Sequence, residues 1–234
     1  MNSNLIKLFV LLATVAVCQA SMAEYLKNLE FVPLKGGKAP TPPIFPNQMS
    51  SAFSITYFLP GSTAGIYGYS TTDLTVNKQR FDAGFEQGVM SAISVYTGAE
   101  YGTNMYTLVG SAGSLSCTTT FLPLPLPKAD MLQNSTFIGA VNLPRHGLCY
   151  GWRLFYANII DITFFTRATG TQVWAPALVV TNLYAVEYSA TKSVPVDPST
   201  FNIYSTCPAP SGFHLPRSIE ETDPRRLLAN TFIL

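Results

Sequence analysis

The chain has 234 residues, 47% of them hydrophobic and only 12% charged, with a formal net charge of +1 at pH 7. Neutralising phosphates needs a basic patch, and no Lys/Arg block is longer than Arg225-Arg226, which argues against a nucleic-acid partner. So much apolar content without a second long apolar run belongs in a core or a lined cavity.

Met1 to Ala20 has a short polar start with Lys7, an apolar stretch from Leu8 to Val17 and a small-residue exit at Cys18-Gln19-Ala20. These three zones predict a secretory signal peptide over residues 1–20, cleaved after Ala20. The apolar stretch is nearer ten residues than the roughly twenty that cross a bilayer, so no integral membrane span is expected. Met22 to Phe31 suits a short helix. Gly36 to Asn47 contains Pro40, Pro42, Pro43 and Pro46, which fix φ and supply no amide donor, so residues 21–47 read as an N-terminal strap.

Residues 48–210 read as one β-sheet domain. Phe53, Ile55 and Tyr57 alternate with Ser54 and Thr56, the period-two pattern of a strand with one face inward, and Pro60-Gly61-Ser62 ends it. The run Tyr69 to Phe81 reads as the second strand of an opening hairpin. Phe85 to Tyr96, Met105 to Val109 and Phe137 to Leu143 predict three more, with Pro123 to Pro127 as an extended connector. Between Leu148 and Arg167, Trp152, Leu154 and Tyr156 share one parity, continued by Ile160, Ile162 and Phe164 after Ala157-Asn158. Thr169-Gly170-Thr171 is a turn signal, and Gln172 to Ala175 is expected to begin the return strand. Leu178, Val180, Asn182, Tyr184, Val186 and Tyr188 read as one face of a long final strand, apolar on both sides and therefore sandwiched. Phe201 to Cys207 is a candidate last strand. Residues 211–234, interrupted by Pro224, read as a weakly structured tail.

Cys117, Cys149 and Cys207 follow the signal segment. In an oxidising compartment two of them pair; three pairings are open, and Cys117 with Cys207 is the preferred one. Asn134-Ser135-Thr136 is a glycosylation sequon, which places it in an exposed loop of a secreted glycoprotein. The two histidines, His146 and His214, lie in proline-flanked segments and read as solvated loop residues. There is no HExxH, CxxC, GxSxG, GxGxxG or Walker motif, so no enzyme, cofactor or metal site is expected. Asp73 and Asp82, roughly 30 Å apart along a single strand, read as turn and edge residues. Aromatic residues in strand-like runs are the better candidates: Phe53, Tyr57, Trp152, Phe164, Trp174 and Tyr184 as ligand-binding residues, with most aromatics forming ordinary core.

Gly65, Tyr69, Asp73, Arg80 and Asp82, then Cys117, Cys149-Tyr150-Gly151-Trp152 and the approach from Phe201 to Cys207, fall in an order that resembles the ependymin-related family. The resemblance spans roughly residues 45 to 210. It implies a fold like that of the LolA-type lipoprotein carriers: a strongly curved antiparallel sheet, an unclosed half-barrel, with a few short helices tucked into its mouth and an apolar cavity between. It also implies a secreted lipid or hydrophobic-ligand binder, homodimeric as a further expectation and calcium-associated in some relatives. No cysteine stands near the mature start, so one disulfide of the family has no counterpart here.

The expected fold is thus mainly β (α+β), a single curved antiparallel sheet of about eight to eleven strands. The expected function is sequestration of a lipid or other hydrophobic small molecule outside the cell or in the secretory lumen. Its rivals are a secreted structural or adhesive protein with a filled core and loop-mediated protein contacts, and a hydrolase built around His146 or His214.

Overall fold

A computed structural model of the chain describes residues 22–34, 36–58, 65–85, 91–99, 102–111, 114–122, 124–156, 160–205 and 207–209. The signal segment 1–20, His214 and the tail 211–234 lie outside them.

Residues 22–27 are helical, and residues 38–46, with their four prolines, carry neither helix nor strand. Twelve strands are present among the described residues: β1 (Phe31–Val32), β2 (Gln48–Tyr57), β3 (Ile66–Asp73), β4 (Lys78–Phe85), β5 (Ser91–Ala99), β6 (Gly102–Ser111), β7 (Ser114–Leu122), β8 (Thr136–Leu143), β9 (Gly147–Tyr156), β10 (Ile160–Arg167), β11 (Pro176–Thr181) and β12 (Tyr184–Lys192). Single 3-10 turns, Met131–Asn134 and Pro198–Phe201, complete the inventory. The strands hydrogen-bond in the order β1-β8-β9-β10-β11-β12-β2-β3-β4-β5-β6-β7, with antiparallel ladders, and the sheet is not closed. The expected mainly-β antiparallel sheet is thus present, one strand richer than the upper end of the expected count.

Two of the expected strands are hairpins instead. The run Tyr69 to Phe81 is β3, a four-residue turn and β4, paired through Ser70↔Phe81 and Thr72↔Gln79. The turn is chemical: the Asp73 carboxylate accepts from the Thr75 amide (2.9 Å) and hydroxyl (2.5 Å), and Asn77 takes φ +53°. Asp73 and Asp82 therefore lie on paired strands, with Asp82 opposite Tyr69, and the 30 Å separation does not apply. The long final strand likewise breaks at Asn182-Leu183, where Thr181 Oγ1 accepts from the amides of Leu183 and Tyr184, each at 3.2 Å. That short turn exchanges the faces: Val179 pairs with Val186 while Leu178 pairs with Glu187, so Leu178 and Val180 do not share a side with Tyr184, Val186 and Tyr188.

Three further differences are local. Gln172 to Ala175 is a turn closed by the Ala175 amide on the Gln172 carbonyl (2.9 Å), and the return strand begins at Pro176. Phe201 ends a 3-10 turn capped by the Asp197 side chain on the Ser199 amide, and no strand follows it among the described residues. Phe85 to Tyr96 is the end of β4 and most of β5, with residues 86–90 outside the described set.

The chain divides into two compact units, Met1–Ile44 with Ile55–Ala64 and Leu132–Tyr188, and Phe45–Ser54 with Gly65–Met131 and Ser189–Leu234. In the first, Val141, Cys149, Phe165, Leu178, Val180 and Ala185 form one buried cluster, with Met22 of the short helix inside it and Tyr25, Leu26 and Leu29 packed against it. Gly151 makes this possible, since a Cβ there would stand 2.8 Å from Ile138 Cγ1 and 2.9 Å from Phe165 Cε1. In the second unit, Phe53, Phe81 and Tyr96 meet edge to face in series, each step 5.7 Å between ring centroids. In the β3–β4 ladder, a Cβ on Gly68 would come within 1.9 Å of the Asp82 carbonyl oxygen, so only glycine lets the two strands approach there.

Candidate functional site

Several aromatic residues of the first unit lie along one face of the sheet. Trp152 pairs with Phe164, Phe164 with Val179 and Val179 with Val186, a row running across β9, β10, β11 and β12 on one face. Tyr184 and Tyr188 flank Val186 at two-residue spacing and so share that face. Tyr57 meets Tyr184 edge to face at 5.9 Å, and Phe137 leans on Trp152 at 5.3 Å. Four of the six expected ligand-binding residues therefore lie along one wall, Trp152 beside Phe164 at one end and Tyr57 against Tyr184 at the other. Phe53 belongs to the ring series of the other unit, and Trp174 lies in the 172–175 turn, half-buried and outside any strand.

This wall is dry. Trp152 is 1% exposed and its indole Nε1–H donates to Thr166 Oγ1 at 3.0 Å. Burial pushes the Tyr57 phenol up to about 12, and raises those of Tyr156 and Tyr188 further, because an ionised phenolate cannot be solvated there.

The opposite face of the same strands carries a buried basic group. His146 is in the β8–β9 turn, as its proline flank suggests, yet its side chain is 3% exposed rather than solvated. Nε2 lies 3.3 Å from Glu187 Oε1, and neither ring nitrogen has hydrogen-bond geometry to a partner. Arg145 reaches the same carboxylate at 3.5 Å. Desolvation lowers the His146 pKa, opposed by Glu187 and reinforced by the charges of Arg167 and Arg145. The unfolded chain therefore binds this proton more readily than the folded one. Stability is expected to fall as pH drops below about 6.5 and to level off once the folded histidine is also protonated. Urea titrations between pH 7.5 and 5 check this; in His146→Gln the descent in that window is shallower, and an unchanged descent would show that other groups set it.

Cys117 and Cys207 form a disulfide, the preferred pairing, and Cys149 is free and buried, its thiol pushed up to about 11 by desolvation. Asn134 is exposed at the end of its 3-10 turn, as a glycosylation acceptor requires. In the second unit an open pocket of about 420 Å³ is lined by Asn47, Gln48, Thr75, Ser193, Val194 and Pro195, and none of the six aromatic candidates lines it. Beside it burial would raise the Asp73 carboxyl, but hydrogen bonds from Thr75, Gln48 and the Val76 amide outweigh burial and hold it below its usual value. Among the described residues no group of three or more His, Cys, Asp or Glu is placed to hold a metal ion, and no helix is long and apolar enough to cross a membrane.

Sequence reasoning missed the burial of His146 and the parity switch that assembles the aromatic row. The available signals were the Thr181-Asn182 pair, which favours a turn, and Glu187, the lone acid in an apolar strand. Comparison with protein-family models finds no match to this chain, and comparison with curated proteins finds none either.

Proposed function

We propose that the chain is a secreted, non-catalytic binder of a lipid or other hydrophobic ligand, with the aromatic face of β9 to β12 as the wall that receives it. In this reading the sheet is strongly curved into a half-barrel of the LolA type, and the chain is an ependymin-related protein that pairs as a homodimer. The observation that supports it is the continuous row Trp152, Phe164, Val179 and Val186, bordered by Tyr57, Tyr184 and Tyr188. Such a wall offers large apolar area with phenol groups at its margin, the composition of a pocket for an apolar guest. Covering some 300 Å² of ligand at about 25 cal/mol per Å² yields near 7 kcal/mol before association costs, enough without a charged anchor.

Native mass spectrometry of protein purified from its own secretion, followed by organic extraction, tests the proposal and counts the copies together. The expected result is an added mass that partitions into the organic phase. A bare mass in every preparation, with no uptake of added fatty acid, removes the binder. A second reading, a secreted structural or adhesive protein with a filled core, is favoured by Trp152, whose ring is already covered and whose N–H is already satisfied.

A further inference from the structure

In the second unit, the face of β3 and β4 opposite Ser70 and Phe81 carries two tyrosines that the core does not use. Tyr67 and Tyr69 are 54% and 68% exposed and stand two positions apart on one strand, hence on one side and about 7 Å apart. Opposite Tyr67 the partner strand has Gly84, and a Cβ built there would meet Tyr67 Cε2 at 3.7 Å. The Cε2 and Cζ side of the ring therefore lies beside Gly84 of β4, and the residue remains 54% exposed.

Beside Tyr69, its register partner Asp82 is clamped by Arg80, with Nε 3.1 and 2.9 Å from the two carboxylate oxygens and Nη2 2.7 Å from Oδ1. Arg80 Nη1 donates to the Thr200 carbonyl at 2.8 Å and so draws the segment after the Pro198–Phe201 turn to this face. That segment presents Tyr204, 44% exposed and close enough to Arg80 to act on its guanidinium. Its far end is tied to β7 by the Cys117–Cys207 disulfide and by Thr119 Oγ1 donating to the Pro208 carbonyl at 2.7 Å.

We infer that Tyr67, Tyr69 and Tyr204 form a stacking platform for a neutral oligosaccharide, with Asp82 and Arg80 as its hydrogen-bonding rim. A pyranose has an apolar C–H face and a rim of hydroxyls, which matches open aromatic faces beside a carboxylate and a guanidinium. The charge balance selects the class. Arg80 is neutralised by Asp82, so the charged rim beside the tyrosines carries no net charge. An anionic chain finds no net positive charge at that rim to neutralise. An aliphatic ligand would desolvate the Arg80–Asp82 pair and leave its remaining hydrogen-bonding capacity unmet. Hydroxyl groups meet it without adding charge.

The test uses the full chain on an array of neutral and acidic oligosaccharides, then saturation-transfer NMR with cellohexaose, xylohexaose and mannohexaose. At least one neutral oligosaccharide is expected to bind. Tyr67→Ala and Tyr69→Ala should each lose about tenfold in affinity with the circular dichroism spectrum unchanged, since stacking on a ring is typically of that size. Tyr69→Phe should stay within about threefold of the parent, because the ring and not its hydroxyl does the stacking. Absence of any neutral saccharide signal at about millimolar concentration, binding confined to acidic glycans, or binding that survives the Tyr67→Ala/Tyr69→Ala pair overturns the inference. So does a protein partner held through these tyrosines without saccharide binding. Because an extracted apolar ligand reports on the other unit, failure of either proposal is read separately.

Discussion

With Cys117 and Cys207 both changed to serine, the chain is expected to lose about 2–5 kcal/mol of unfolding free energy. The bridge joins residues 90 positions apart, so its removal frees a long loop in the unfolded chain. In the folded chain the segment from Pro198 to Pro208 would then depend on the Arg80 bond to the Thr200 carbonyl, the Thr119 bond to the Pro208 carbonyl and the buried Phe201 ring. Guanidinium titration of the parent with and without reductant checks this: the reduced parent should shift to the midpoint of the double variant. If the oxidised and reduced parent share one midpoint, the bridge constrains nothing that the fold does not already hold. The same variant should weaken saccharide binding, because Tyr204 sits on the released segment.

Trp152→Ala is expected to destabilise by about 3–5 kcal/mol, the range for emptying a fully covered indole site. Two effects add. The ring's contact with Phe137 is lost and a cavity opens beside its register partner Phe164, and the buried Thr166 hydroxyl loses the N–H it accepts from. Trp152→Phe narrows the difference, since it keeps one six-membered ring but loses the donor and the fused five-membered ring; about 1–3 kcal/mol is expected from the stranded hydroxyl and the smaller ring. Thermal unfolding monitored by calorimetry provides both numbers. A loss below about 1 kcal/mol for Trp152→Ala would mean that the site collapses freely, contrary to the packing described. The melting point also bears on the ligand proposal. Protein stripped of an apolar guest should melt lower than protein as secreted, because a ligand that binds only the folded state stabilises it by mass action. A filled core predicts no difference.

Much of the strand pattern is legible in the sequence because period-two alternation is a local property. Trp152, Leu154 and Tyr156 are expected to share a side with Ile160, Ile162 and Phe164, and the β9–β10 ladder pairs them one to one. The lack of regular structure over the four prolines and the short helix after residue 21 are legible too, whereas the cysteines left three pairings open, of which the preferred one forms. Errors concentrate where alternation runs through a turn. Asp73 to Asn77 and Asn182-Leu183 interrupt the strands with so few residues that hydrophobic periodicity hardly registers them, although Asp, Thr and Asn at those places carry turn chemistry. β7 escapes for a different reason: Ser114 to Leu122 is rich in Ser and Thr, and at the end of the sheet order it has no need of an apolar stripe.

The candidate site is legible only as a set of residue types. Any one of its rings could be core, and spacing alone does not say that Tyr57, Trp152, Phe164 and Tyr184 line one wall while Phe53 and Trp174 lie elsewhere. His146 shows the same limit, since a proline-flanked histidine reads as loop, and only the approach of Glu187 and Arg145 reveals that its ring is enclosed.

By itself, then, the order of residues determined the strand-forming tendency, the prolines that forbid regular structure and the absence of a known catalytic motif, because each depends on a residue and its near neighbours in the chain. Tertiary structure alone decided which side of the sheet each ring faces, which distant rings touch and which tyrosines are left open to solvent. Those outcomes follow from the turns that reset strand parity and from contacts between residues far apart in the chain, such as Tyr57 with Tyr184 and Arg80 with Thr200.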